Sequence, residues 1–113
     1  MSTSTILIAQ DELLASHAAH LELEAAGYAV LDAADGDEAV EIFMDNYDRI
    51  DLVILDLTMP LMNGDDALVQ MRFIDPEIKV VLVTDWEELK VEGIIQKPFG
   101  SGEILSKVRE LLG

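Results

Sequence analysis

Four side chains that could bind and transform a polar ligand stand at the ends of short apolar runs. Asp56 follows the continuous apolar run 52–55, and Asp11, Thr84 and Lys97 stand at or just after three further runs. A run as short as 52–55 is typical of a strand that is covered on both faces of a parallel sheet. Because ligands bind beyond the carboxyl ends of such strands, Asp56 is the first candidate for chemistry.

The elements that must position these residues alternate between strands and helices. Short apolar runs predict five strands, at residues 5–9, 28–33, 52–55, 79–84 and 94–96. Apolar residues at three- and four-residue spacing predict the helices. The first is marked by Leu14, Ala18, Leu21 and Ala25 and ends at Gly27, and the second is marked by Ala39, Val40 and Phe43 after an Asp35-Gly36 turn, with Glu38 and Glu41 facing water. The third contains Leu68, Met71 and Arg72 after Asn63-Gly64, and the last contains Ile104, Leu105, Val108, Leu111 and Leu112. This alternation predicts an α/β fold with a doubly wound parallel sheet, in which strands one, three, four and five end along one rim. The two acids, the hydroxyl and the amine should converge there.

The composition indicates a single compact domain, residues 1–113, with an acidic surface. The 23 acidic and 7 basic side chains give a formal net charge of −16, so we expect neither nucleic acid nor an anionic membrane as a partner. The absence of cysteine excludes a disulfide framework and a thiolate metal site. His17 and His20 have too few other ligands nearby for a metal site and are expected at the surface or the edge of the core. We predict no signal peptide and no membrane span, and therefore a cytoplasmic protein.

Four segments together resemble the receiver domain of two-component response regulators. They are residues 6–12 (ILIAQDE), 51–64 (DLVILDLTMPLMNG), 81–84 (VLVT) and 96–99 (QKPF), and the resemblance covers essentially the whole chain. It implies a flavodoxin-like fold whose five-stranded sheet has the order 2-1-3-4-5. It also implies a protein that accepts a phosphoryl group from a sensor histidine kinase or a phosphotransfer protein and signals to a downstream protein of unknown identity. Such a protein is no enzyme beyond promoting its own phosphorylation and dephosphorylation.

The resemblance assigns a role to each matched position. Asp56 would be the nucleophile that accepts the phosphoryl group. Asp11, Asp56 and the backbone carbonyl of Thr58 would hold Mg²⁺, a hard cation that prefers oxygen ligands. Lys97 would pair with one phosphoryl oxygen as a point charge, and the Thr84 hydroxyl would donate to another.

Three features depart from the family pattern. Gln10 stands where the family usually has the first of two adjacent acids, so we expect its contribution to the metal site to be weak or indirect. Ile94 stands where many receivers carry an aromatic residue that moves on activation, and an isoleucine cannot act as that rotor. Only residues 85–93 remain between the fourth and fifth strands, so the fourth helix is predicted to be absent or vestigial. We expect this segment to carry any phosphorylation signal.

Other functions remain open on the sequence alone. The main alternative is a pseudo-receiver, a protein-interaction module that does not depend on phosphorylation. A phosphatase of the haloacid dehalogenase type would need a second aspartate where Thr58 stands, and a flavodoxin-like nucleotide-binding module would need a Gly-, Ser- or Thr-rich loop at residues 10–12. Taken singly, Asp11 could only cap a helix, Thr84 could only satisfy a strand end, and Lys97 could only pair with a surface carboxylate.

Overall fold

The protein forms a five-stranded parallel sheet that has helices on both faces. The computed structural model describes residues 3–10, 13–56, 64–84, 94–96 and 102–112. In chain order the elements are β1 (Thr5–Ala9), α1 (Leu13–Ala25), β2 (Ala29–Ala33), α2 (Gly36–Asn46), β3 (Ile50–Asp56), α3 (Gly64–Ile74), β4 (Lys79–Thr84), β5 (Ile94–Gln96) and α4 (Glu103–Leu112). Every pair of neighbouring strands is parallel, and the order is β2-β1-β3-β4-β5. The doubly wound, flavodoxin-like sheet predicted from the sequence is confirmed.

The connection between β4 and β5 lies outside the described residues. The absent or vestigial fourth helix, which the sequence placed at residues 85–93, therefore stays a prediction. The helix numbered α4 is the one that follows β5, as the sequence predicted for the last amphipathic segment. Of the helices in the described ranges, none is long and apolar enough to cross a bilayer.

Apolar side chains on the two faces of the sheet form two cores. The core beneath α2 and α3 is built around Phe43 and Met71, and the core beneath α1 and α4 around Leu23 and Val108. The middle of β3 contributes to both cores in alternation, with Val53 and Leu55 in the first and Leu52 and Ile54 in the second. Because successive strand residues point to opposite faces, a strand covered on both sides must be apolar throughout, which is what residues 52–55 indicated.

Helix α1 buries different residues from those whose spacing marked it as a helix. Ala18 is exposed and Leu21 is 53% exposed, whereas Ala19 and Leu23 are buried. Most positions of α1 are apolar, so its sequence carries only a weak preference for one face. Packing against β2 and α4 therefore decides which side of the helix is covered.

The C-terminal end of α1 is a Schellman cap at Gly27, where the sequence predicted a helix end. Gly27 has φ 99°, its N–H donates to the Glu24 carbonyl at 3.0 Å, and the Tyr28 N–H donates to the Leu23 carbonyl at 3.1 Å. Apart from Gly27 and its two chain neighbours, no atom of the described residues lies within 4 Å of the position that a Cβ at Gly27 would occupy. The cost of a side chain at this position is therefore backbone strain alone.

We expect Gly27→Ala to lower the free energy of unfolding by about 1 kcal/mol, because L-residues disfavour left-handed backbone. Gly27→Asn should cost less, since asparagine tolerates that region better. Urea denaturation of the three proteins measures both differences. Equal stability of wild type and Gly27→Ala would contradict the assignment of this cap.

Helix α2 begins at a side-chain cap. Oδ1 of Asp35, which the sequence placed in a turn, accepts a hydrogen bond from the Glu38 N–H at 2.8 Å, and Glu38 Oε1 accepts one from the Ala34 N–H at 3.2 Å. The first bond satisfies a backbone donor that a helix start leaves without a partner, and the second holds the residue just before the cap. The predicted stripe of this helix is confirmed: Ala39, Val40 and Phe43 are buried, while Glu38 and Glu41 are exposed.

Candidate functional site

Asp56 is a carboxylate held almost without solvent contact at the end of the central strand. It is the last residue of β3 and only 1% exposed. Strands β1 and β4 pair with β3 on its two sides, and Asp56 is in register with Val83 of β4. Asp51, near the other end of the same strand, is exposed and accepts a hydrogen bond from the Thr5 N–H at 2.8 Å. The fold thus places two aspartates of one strand in opposite environments.

Gln10 is the second buried polar residue at this rim. It follows β1, whose last residue Ala9 is in register with Leu55, so Gln10 comes beside Asp56. Its backbone N–H donates to the Ala33 carbonyl at 3.1 Å, and the residue is 4% exposed. Among the described residues, neither the Oε1 nor the Nε2 atom of its side chain has a hydrogen-bond partner. An unsatisfied buried amide costs about 1–3 kcal/mol, so this corner is suited to a polar ligand or an ion.

The parallel sheet brings the other predicted strand ends to the same rim. Thr84 is the last residue of β4 and is in register with Gln96, the last residue of β5. Lys97 follows Gln96 directly in the sequence. The backbone therefore carries the ends of β1, β3, β4 and β5 to one edge, as predicted. The side chain of Thr84, together with the whole of Asp11, Thr58 and Lys97, lies outside the described residues.

The oxygens of this corner fit a hard divalent cation. Within the described ranges it offers the Asp56 carboxylate and the Gln10 amide oxygen, and both are buried oxygen donors of the kind that Mg²⁺ accepts. The described part of the chain contains no group of three or more His, Cys, Asp or Glu side chains placed to hold a metal. A complete site needs further oxygens, which the sequence predicts from Asp11 and Thr58.

Gln10 contributes more to this corner than its sequence position predicted. The sequence pattern marks this residue mainly as a missing acid, whereas in the structure it is a buried amide beside Asp56. The signal was available, because a polar residue directly after a buried strand at the ligand-binding edge is itself a site candidate.

His17 is exposed, whereas His20 lies at the edge of the core, as predicted. Its Nδ1 is 2.5 Å from Oδ2 of Asp32 on β2, and its Nε2 is 3.1 Å from Oε1 of Glu24. Burial lowers the pKa of His20, but the hydrogen bond and charge of Asp32, with smaller contributions from Glu24, outweigh it and hold the pKa above its ordinary value of 6.5.

This raised pKa predicts a pH-dependent contribution to stability. A folded-state pKa above the unfolded value gives stabilisation that is fully present below the unfolded value and is lost as pH rises through the folded-state pKa. We therefore expect the stability advantage of wild type over His20→Gln to shrink as pH rises from about 6 toward 8. Urea denaturation across this range measures it, and Asp32→Asn should remove most of the pH dependence. An advantage that does not change with pH would contradict the prediction.

Comparisons with known proteins agree with this geometry. Residues 6–109 match the response regulator receiver domain. The sensor kinase CckA of Brucella abortus is 31% identical over 119 residues, and this match covers 97% of the chain but only 13% of that kinase. A chain of the CheX–CheY–BeF3–Mg²⁺ complex of Borrelia burgdorferi superposes with a TM-score of 0.88 at 26% identity, covering 97% of this chain and 90% of that one.

A second similar structure contains a kinase. A chain of the complex between histidine kinase ThkA and response regulator protein TrrA has a TM-score of 0.83 and 28% identity, covering 98% of this chain and 100% of that chain. The match over residues 6–109 spans the sheet, the buried aspartate at the end of β3 and the polar rim. On this ground, the chain belongs to the response regulator receiver domain family of two-component signalling.

Proposed function

We propose that Asp56 is the phosphoacceptor of this receiver domain and takes its phosphoryl group from a histidine kinase or a phosphotransfer protein. One observation carries the proposal: a buried carboxylate ends the central strand beside a buried amide that lacks a hydrogen-bond partner among the described residues. In the similar complexes, BeF3 and Mg²⁺ accompany CheX and CheY, and ThkA accompanies TrrA. The partners proposed for this chain are thus a kinase and a downstream protein, and the proposed location is the cytoplasm.

The proposed reaction forms one bond and breaks one bond. A carboxylate oxygen of Asp56 attacks the phosphorus of a phosphohistidine, the N–P bond breaks, and the imidazole nitrogen of the donor retains the electron pair and takes up a proton. The product is an acyl phosphate on Asp56. Burial at the strand end fixes the orientation of the nucleophile and limits competing attack by water.

Other residues of the rim would hold the transferred group. In this proposal Lys97 pairs with one phosphoryl oxygen and the Thr84 hydroxyl donates to another. Asp11, Asp56, the Thr58 carbonyl and, more weakly, Gln10 would hold Mg²⁺, which would offset the negative charge of the phosphoryl group and the carboxylates. The chain would act on itself at most, by promoting its own phosphorylation and dephosphorylation.

A pseudo-receiver is the second candidate, and Gln10 favours it. Replacing an acid by a neutral amide removes one negative charge from the metal corner and weakens the attraction for Mg²⁺. In that case the domain would work through protein contacts alone.

Intact mass spectrometry after incubation with acetyl phosphate separates the two candidates. We expect a gain of one phosphoryl group with Mg²⁺ and none when EDTA removes the metal. The label should be released by hydroxylamine, because an acyl phosphate is cleaved by this nucleophile and a phosphoserine or phosphothreonine is not. An unmodified mass at saturating donor and Mg²⁺ would support the pseudo-receiver instead.

A further inference from the structure

Helices α2 and α3 expose an apolar surface at the outer edge of the core beneath them. Its members are Val40 and Met44 of α2 with Val69, Phe73 and Ile74 of α3, which together with Gln70 line an open groove of about 360 Å³. Phe73 is 91% exposed, Val69 69% and Met44 57%. We call this surface the α2–α3 apolar face. It lies on the flank of the sheet and is formed by residues other than those of the rim.

The composition of this face is unusual for a solvated helix pair. Ala67 and Met71 already provide the buried side of α3, so Val69 and Phe73 add nothing to the core. They stand four residues apart and form a ridge along the outside of the helix. An exposed and contiguous apolar patch of this kind is typical of an interaction site.

Acidic side chains border the face and define the chemistry of its occupant. Asp37 precedes Val40 by three residues on α2, and Asp66 holds the same place before Val69 on α3. Glu41 adds a third exposed carboxylate. The sequence of α2 contains no basic residue, and α3 contains only Arg72. A partner must therefore supply positive charge.

The topology also fixes how the α2–α3 apolar face is oriented relative to the rim. In a parallel sheet, crossover helices run opposite to the strands, so α2 and α3 both begin near the rim and run side by side. The acids Asp37 and Asp66 lie in their first turns, while Met44 and Phe73 lie about 10 Å further along, at a rise of about 1.5 Å per residue. The face thus has an acidic end toward the rim and an apolar end away from it.

We propose that the α2–α3 apolar face docks an amphipathic helix of another protein, with apolar side chains that enter the groove and with lysine or arginine residues beside the acidic end. A ridge at four-residue spacing beside a groove is the complement of a helix surface. A second copy of this chain is a poor occupant, because each copy carries a net charge of −16 and would bring the same acids to the contact. The proposal does not depend on phosphorylation of Asp56.

A fluorescent amphipathic helical peptide built from leucine and lysine is a suitable probe, with fluorescence anisotropy as the readout. We expect the double variant Val69→Ser/Phe73→Ser to weaken its binding by about thirtyfold, the usual loss at an apolar hot spot. Leu21→Ser is the matched control, because Leu21 is a 53% exposed apolar residue on α1. This variant should bind the peptide as tightly as wild type does. Both variants change exposed side chains, and circular dichroism verifies that they fold.

Charge is tested separately. Asp37→Asn/Glu41→Gln should weaken the peptide severalfold, whereas Glu77→Gln/Glu110→Gln, which removes two exposed acids elsewhere, should have a smaller effect. The same peptide with glutamate in place of lysine should not bind. The proposal would be overturned if both charge pairs weakened peptide binding equally, or if Leu21→Ser weakened it as much as Val69→Ser/Phe73→Ser. Either result would mean that the peptide binds by general attraction to the protein and not at the α2–α3 apolar face. A wild-type dimer in light scattering that Val69→Ser/Phe73→Ser dissociates would overturn it too, by making a second copy the occupant.

Discussion

Asp56→Asn should abolish labelling by acetyl phosphate and leave the domain folded. The asparagine amide is a poor nucleophile and cannot form an acyl phosphate, so the loss should be complete rather than partial. The substitution is nearly isosteric at a site that is 1% exposed, and it removes a carboxylate whose burial is costly. We therefore expect the free energy of unfolding without Mg²⁺ to equal or exceed that of wild type. Intact mass spectrometry and thermal unfolding measure the two effects.

Asp51→Asn is the matched control for this result. It makes the same chemical change on the same strand, but at an exposed position near the opposite end. Its asparagine oxygen can still accept the hydrogen bond from the Thr5 N–H. Asp51→Asn should be labelled as wild type is. Persistent labelling of Asp56→Asn would place the phosphoacceptor on another residue, and loss of labelling in both variants would indicate a general disturbance of β3.

Gln10→Asp should tighten Mg²⁺ binding by about tenfold, because a carboxylate attracts the cation far more strongly than an amide at the same corner. The same change should lower the stability of the metal-free protein by about 1–3 kcal/mol, since it buries a second negative charge beside Asp56. Saturating Mg²⁺ should reverse that loss, because metal that binds only the folded state stabilises it. Isothermal titration calorimetry gives the affinity, and thermal unfolding with and without Mg²⁺ gives the stability.

Gln70→Asp provides the control, because it adds the same charge at an exposed position of α3. It should change neither the Mg²⁺ affinity nor the stability appreciably. If Gln10→Asp binds Mg²⁺ with wild-type affinity, the side chain at position 10 does not reach the metal. If both variants tighten binding equally, the effect comes from net charge and not from the corner itself.

Local patterns in the sequence were enough to predict the order of strands and helices and the place of Asp56. The apolar run 52–55 and the three- and four-residue spacing within the helices are local patterns, and they depend only on which side of a strand or helix must avoid water. Gly27 and Asp35 are local signals of helix ends, although the sequence pattern predicted a turn at Asp35 and the structure shows a helix cap there. The same local patterns predicted where β3 ends, so Asp56 could be identified as a site candidate from the sequence.

The environment of Gln10 depends on contacts between strands that are distant in sequence. The sequence gives its neighbours along the chain, but its position beside Asp56 follows from the register of Ala9 with Leu55, residues that are far apart in sequence. Its burial follows from the packing around that strand end. Neither property is encoded in the residues near position 10, because strand register is set by pairing across the sheet.

The faces of α1 and α3 were likewise decided by packing. Both helices have more apolar residues than one buried side can hold, so periodicity alone admits several orientations. Contact with the sheet and with a neighbouring helix selects Ala19 and Leu23 on α1, and Ala67 and Met71 on α3, as the buried sides. Leu21, Val69 and Phe73 are then left exposed, since a helix that turns one stripe toward the core must turn the others away.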